Sequence, residues 1–186
     1  MSDPVQAVNL YAAPRARLAD AAADGAVAAP FFAVGIQKLL VMSLLTFNLY
    51  LIYWFYRNWR AVRNFGKRRP NAVLGGVFYY FSAYWLFRRM RVKSLAIGEA
   101  LEFPAGGIAW MLLLFAIVSV LPSGWYLLSF CAASALVPVQ REVNAINAKL
   151  APNLDANEGY GGLNLAGMLA GGLLLLLNLV GLLMQP

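Results

Sequence analysis

The sequence predicts an all-α, polytopic helical membrane protein, with about four spanning helices and one short interfacial or re-entrant helix. Three observations carry that expectation. Of the 186 residues, 61% are apolar and 12% charged, where soluble domains hold roughly 45–50% apolar and about 25% charged. The mean hydropathy is +0.64. The apolar residues gather in runs close to a membrane's thickness rather than in short amphipathic repeats. A soluble globule of this composition would expose large apolar patches.

Residues 1–30 hold eleven Ala, three Pro and a few scattered charges, Asp3, Arg15, Arg17, Asp20 and Asp24 among them. They read as a flexible Ala-rich tail, with one short helix near Arg15–Ala23 and no secretory signal. The helical membrane domain then runs over 31–186, in segments near 36–56, 72–90, 105–121, 125–150 and 163–184. The first has about one membrane's length and is expected to span, although Thr46-Phe47-Asn48 allows a broken, re-entrant form. The second is short and holds Gly75, Gly76 and Ser82. The third ends at the turn signal Leu121-Pro122-Ser123-Gly124. The fourth is expected to run on, without a breaker, into a polar helix that Ala151-Pro152-Asn153 stops. The fifth has no charge and is the clearest span.

Charge sets the expected orientation. Ten of the fifteen basic residues lie between Arg57 and Lys93, and no acidic residue falls between Asp24 and Glu99. Basic loops stay cytoplasmic. Both basic groups flank segment two, so that segment is expected not to cross, and the Pro122-Ser123-Gly124 turn is expected to face outward. Glu99 and Glu102 are expected at headgroup level, paired with Arg91 or Lys93.

Three constellations stand out as candidate sites. Tyr53, Trp54, Arg57 and Arg60, with Tyr84, Trp85, Arg88, Arg89 and Arg91, join aromatic clusters to arginine. They fit either an aromatic belt or a contact surface for anionic lipid or a partner protein. Gln140, Asn144 and Asn147 are spaced four and three and line one helix face. Carboxamides both donate and accept, so the row suits another helix, a loop or a headgroup, or is simply an amphipathic boundary. Gly167, Gly171 and Asn178 form a small-residue stripe for helix packing, expected against segments three and four or a second copy of the chain.

Residues 36–60 carry a resemblance as well. Lys38 to Tyr50, followed by Tyr53-Trp54-Phe55-Tyr56-Arg57-Asn58-Trp59, resembles the signature of a bacterial multi-pass membrane-protein family of unassigned activity. That signature is a Thr-x-Gly-x-Tyr step, then Tyr-Trp-Phe-Tyr and a basic stretch. Asn48 stands where the family commonly has Gly, and both residues tolerate a left-handed backbone. The resemblance implies a multi-pass protein of the inner membrane.

Function follows mostly by exclusion. The chain has no His and only one cysteine, Cys131, which removes the commonest general base and any intrachain disulfide. No metal or cofactor motif is present, so no catalytic residue, metal or cofactor is expected. The expectation is a non-enzymatic scaffold or accessory subunit in the bacterial cytoplasmic membrane, contacting lipid or a membrane-protein partner. The rival is a small oligomeric transporter or channel lined by Thr46, Asn48 and Asn178. Nucleic acid is not an expected partner, because the aromatics belong to segments that membrane would cover.

Overall fold

A computed structural model describes residues 29–65, 69–122, 124–153 and 155–184. Most of the Ala-rich tail lies outside these residues, as do Lys67 and Arg68 of the basic stretch. Among the described residues every regular element is helical. In chain order they are α1 (Ile36–Leu45), α2 (Leu49–Val62), α3 (Ala72–Val77), α4 (Tyr79–Ala96), α5 (Ala105–Val118), a 3-10 helix (Trp125–Leu136), α6 (Val137–Leu150) and α7 (Gly162–Leu183). Ahead of α1, residues 30–34 run outside any helix and lie largely buried. The all-α expectation therefore holds. One helix, α7, is both long and apolar enough to cross a membrane, while α1 and α5 are apolar but shorter.

Segment one is two helices rather than one. Phe47 and Asn48 both take positive φ, 52° and 64°. The Asn48 amide closes back on the Ser43 carbonyl at 2.7 Å and the Phe47 amide on Leu44 at 3.3 Å, the paired closure of a Schellman helix end. Thr46 then opens the next helix, its Oγ1 accepting from the Tyr50 amide at 3.1 Å. Asn tolerates the left-handed conformation, whereas Phe47 is held there by tertiary contact, its ring edge-on to Phe130 at 5.0 Å. A continuous spanning helix over 36–56 is thereby corrected.

Segment two breaks as well, at Phe78, into α3 and α4. Asn71 caps α3 by accepting from the Val73 and Leu74 amides. Gly75 and Gly76 let α3 close on α2, since a Cβ on Gly75 would strike the Trp59 indole and one on Gly76 the Ile52 carbonyl. Neither α3 nor α4 is both long and apolar enough to cross a membrane.

Segment four changes type along its length, which corrects the expectation of an unbroken helix. Pro138 sits in the first turn of α6. Lacking an N–H and crowding the carbonyl four residues back, it bars an α-helix from running straight through. The preceding 3-10 helix has three residues per turn, and its burial follows that period. Ser129, Ala132 and Ala135 are buried, while Trp125, Leu128, Cys131 and Ser134 are exposed. The buried ridge of small residues lets this helix pack closely on α1 and α5.

Helix α1 is the hub, touching α2, α6, α7 and the 3-10 helix. Its contact with α7 turns on Gly171, where a Cβ would fall on the Leu45 carbonyl oxygen. Gly167 and Gly171 of the stripe thus meet the end of α1, with Thr46 beside Gly167, rather than segments three and four. Asn178 does reach segment four, accepting from the Tyr126 hydroxyl at 2.6 Å. The aromatic clusters build much of the core. Trp54 and Phe55 lie edge to face at 5.0 Å, Phe55 stacks on Tyr79, and Phe87 meets Phe103 at 5.5 Å.

Gly171→Ala should therefore lower the thermal midpoint of the purified protein, at a cost of about 1–3 kcal/mol for overpacking. Gly172→Ala, whose new Cβ would come no nearer than 3.9 Å to Leu45, should be neutral or slightly stabilising. Equal behaviour of the two would contradict this docking.

Candidate functional site

Residues 30–34 bury peptide groups that belong to no helix, and those groups need partners. Side chains supply them. Asn147 pairs with Phe31 on both sides, its Oδ1 accepting from the amide at 3.2 Å and its Nδ2 donating to the carbonyl at 3.1 Å. The Phe32 amide donates to Asn58 Oδ1 at 3.3 Å, and its carbonyl accepts from Gln140 Nε2 at 3.1 Å. Asn157 donates to the Ala33 carbonyl and Asn144 to that of Val34. Lys93 Nζ donates to the Pro30 carbonyl, and also to Ala61 at 2.8 Å.

The amide row of α6 is thus a clamp on the chain's own strap. Gln140, fully buried, also donates to Asn144 at 2.7 Å and accepts from the Trp54 indole at 2.6 Å. Of the options open to the row, a loop is the one it binds. Asn58, Asn157 and Lys93 complete the clamp from α2, from the loop after α6 and from α4. Sequence reasoning missed all three. The only signal for Asn58 is its place one turn after Trp54, whose carbonyl its Nδ2 also reaches at 3.1 Å.

Two lysines are buried without a carboxylate partner among the described residues. Lys38 donates to Asn157 Oδ1 at 2.8 Å and to the Gly159 carbonyl at 2.5 Å. Lys93 sits between the Phe31 and Phe65 rings, 5.1 and 5.3 Å from their centroids. Burial removes water from the Lys93 ammonium and pulls its pKa below the ordinary value. Among the described residues no carboxylate pairs with Arg91 or Lys93, which corrects the expectation that Glu99 and Glu102 do so. Glu99 forms an ion pair with Lys149, and the Glu102 amide donates to Glu142 Oε2 at 2.7 Å.

The basic and aromatic residues divide into an inner and an outer set. Trp54 is fully buried, so its place as a lipid or partner contact is corrected: its indole faces Gln140. Arg91 turns inward to the Phe103 carbonyl and lies over that ring at 5.4 Å. Arg89 reaches the Phe65 carbonyl at 3.0 Å. Outside stand Tyr53, Arg57, Arg60, Tyr84, Trp85 and Arg88. Arg57 donates to the Tyr53 hydroxyl at 2.5 Å and covers the Phe32 ring at 4.7 Å. Arg60 donates to Tyr56 at 3.5 Å, and Arg88 lies 6.0 Å from the centre of the Tyr84 ring. Arg57, Arg60 and Arg88 therefore each stand on an aromatic ring with donors left over for an anion.

Compared with family models, with curated proteins and with solved structures, the chain matches none.

The buried lysine gives a pH test. The folded pKa of Lys93 is lowered from 10.5, so between those two values the unfolded chain binds the extra proton and stability rises with pH. Lys93→Met removes that titration and leaves every other one in place. The thermal midpoint of the wild type relative to Lys93→Met should move in favour of the wild type as pH approaches 10.5. A gap that does not change with pH would contradict a desolvated Lys93.

Proposed function

We propose that the chain is a multi-pass integral protein of the bacterial cytoplasmic membrane, a non-enzymatic scaffold or accessory subunit. Its basic-aromatic corner would contact anionic lipid headgroups or an acidic partner surface. One observation carries the membrane reading. Helix α7 spans 22 residues without a charge, and only 6% of its most apolar window is buried, with Leu163, Leu169 and Leu183 standing 91, 76 and 85% exposed. Water would not tolerate that surface and lipid would. The exposed Trp110, Met111, Leu114 and Ile117 of α5 and Trp125 and Leu128 of the 3-10 helix extend it.

On this reading α7 crosses the bilayer and the hairpin of α5 and the 3-10 helix inserts beside it, its turn facing outward. Helix α4, with Arg88, Arg89, Arg91 and Lys93, lies on the cytoplasmic side. The resemblance of residues 36–60 to a bacterial multi-pass family agrees with such a placement. The polar side chains that a pore reading would need bond inside the fold. Asn48 Nδ2 donates to the Ser129 carbonyl at 2.7 Å, Thr46 caps α2, and Asn178 holds Tyr126. The scaffold reading is therefore the one carried forward.

Each cation near an anionic bilayer contributes about 1 kcal/mol, screened beyond about 10 Å at 0.1 M salt. In nanodiscs of mixed neutral and anionic lipid, native mass spectrometry should find anionic lipid retained at low salt. Replacing Arg57, Arg60 and Arg88 together by Gln should cut that retention at least twofold. Unchanged retention, or equal retention of neutral lipid, would reduce these charges to a topology signal.

A further inference from the structure

The corner where α2 hands over to α3 holds a cleft of about 550 Å³ that the contacts above leave unexplained. Arg60 and Arg63 line it from the end of α2, and Arg69 from the approach to α3, with Tyr56, Asn71 and Val73 completing the wall. Among the described residues no carboxylate lines it, and the Arg60 side chain is engaged only by Tyr56, as a hydroxyl acceptor and an aromatic ring. The Arg63 and Arg69 side chains have no hydrogen bond, ion pair or ring partner among the described residues. Several basic groups elsewhere are met inside the fold: Lys149 meets Glu99, and Arg89, Arg91 and Lys93 reach backbone carbonyls. Here three arginines line one concavity, and a bound anion would offset their like charges.

The geometry points to a phosphate-bearing anion as the occupant, and we propose that this cleft binds a phosphomonoester or diphosphate group. A carboxylate offers two oxygens, too few for three guanidinium forks. A terminal phosphate offers three strong acceptors and nearly two charges. The helix amides take no part, because Asn71 already satisfies those of Val73 and Leu74. The volume lies within the range of small-molecule sites and leaves room beyond one phosphate. Such a group could belong to a lipid headgroup or to a soluble phosphate compound. The cleft shares Arg60 with the lipid surface proposed above, whereas Arg63 and Arg69 belong to the cleft alone and Arg57 and Arg88 lie outside this wall.

The test uses the full-length protein, two probes and two double variants. In neutral detergent, calorimetric titration with inorganic pyrophosphate should show binding that Arg63→Gln/Arg69→Gln weakens at least tenfold. Arg57→Gln/Arg88→Gln should change it less than twofold. In nanodiscs, native mass spectrometry compares phosphatidate, a phosphomonoester, with phosphatidylglycerol, a diester. No pyrophosphate binding, but phosphatidate preferred and that preference lost in Arg63→Gln/Arg69→Gln, would support the site and assign it to a lipid headgroup. The replaced side chains are exposed, so both variants should keep the wild-type thermal midpoint. If neither probe separates Arg63→Gln/Arg69→Gln from the wild type, or if both double variants weaken pyrophosphate equally, the site is overturned. Loss of bulk anionic lipid in Arg57→Gln/Arg88→Gln alone would bear on the corner and leave this cleft standing.

Discussion

The clamp on residues 30–34 is the interaction on which the rest of the arrangement depends. A non-helical segment buried among helices has no neighbouring strand, and each unpaired peptide group there costs about 1–3 kcal/mol. Asn58 on α2, Lys93 on α4, Gln140, Asn144 and Asn147 on α6, and Asn157 beyond it meet that need. Because these groups come from separate elements, satisfying the strap also fixes those elements relative to one another. Phe31 and Phe32 are buried between them. Arg57 lies over the Phe32 ring and Lys93 over that of Phe31. Phe32 thus joins the clamp to the basic corner: its peptide groups are held by Asn58 and Gln140, and its ring is covered by Arg57.

The division between inward and outward explains which parts of the sequence were legible. Long apolar runs identified all-helical structure, and the uncharged stretch from Gly162 to Leu183 showed directly as a helix. Breaks inside apolar runs did not show as well. Thr46-Phe47-Asn48 was visible as a polar interruption, but the Schellman closure depends on Phe47 accepting a left-handed backbone because Phe130 packs on it. Pro138 was legible in principle, since proline in a first helical turn marks a start, and its effect was overlooked. The three-residue period of Ser129, Ala132 and Ala135 is hard to see against a prior that favours α-helix.

The candidate site divides in the same way. Helical spacing puts Tyr50, Tyr53, Trp54 and Arg57 on one side of α2, yet the core boundary runs down its middle. Tyr50 and Trp54 are buried, and Tyr53 and Arg57 are not. The amide row was visible as three aligned carboxamides, and its ligand was not, because the strap lies more than 100 residues earlier in the chain. Lys93 reads from the sequence as one of the topology charges, and Lys38 only as the start of the resemblance. Their burial against carbonyl oxygens is a tertiary fact that no local pattern encodes.

Backbone hydrogen exchange on the purified protein tests the clamp most directly. The Phe31 and Phe32 amides, which donate to Asn147 and Asn58, should exchange as slowly as the core of α2. Asn147→Ala should speed Phe31 by at least tenfold while the middle of α7 keeps its rate. Exchange of Phe31 and Phe32 at free-chain rates in the wild type would contradict the account.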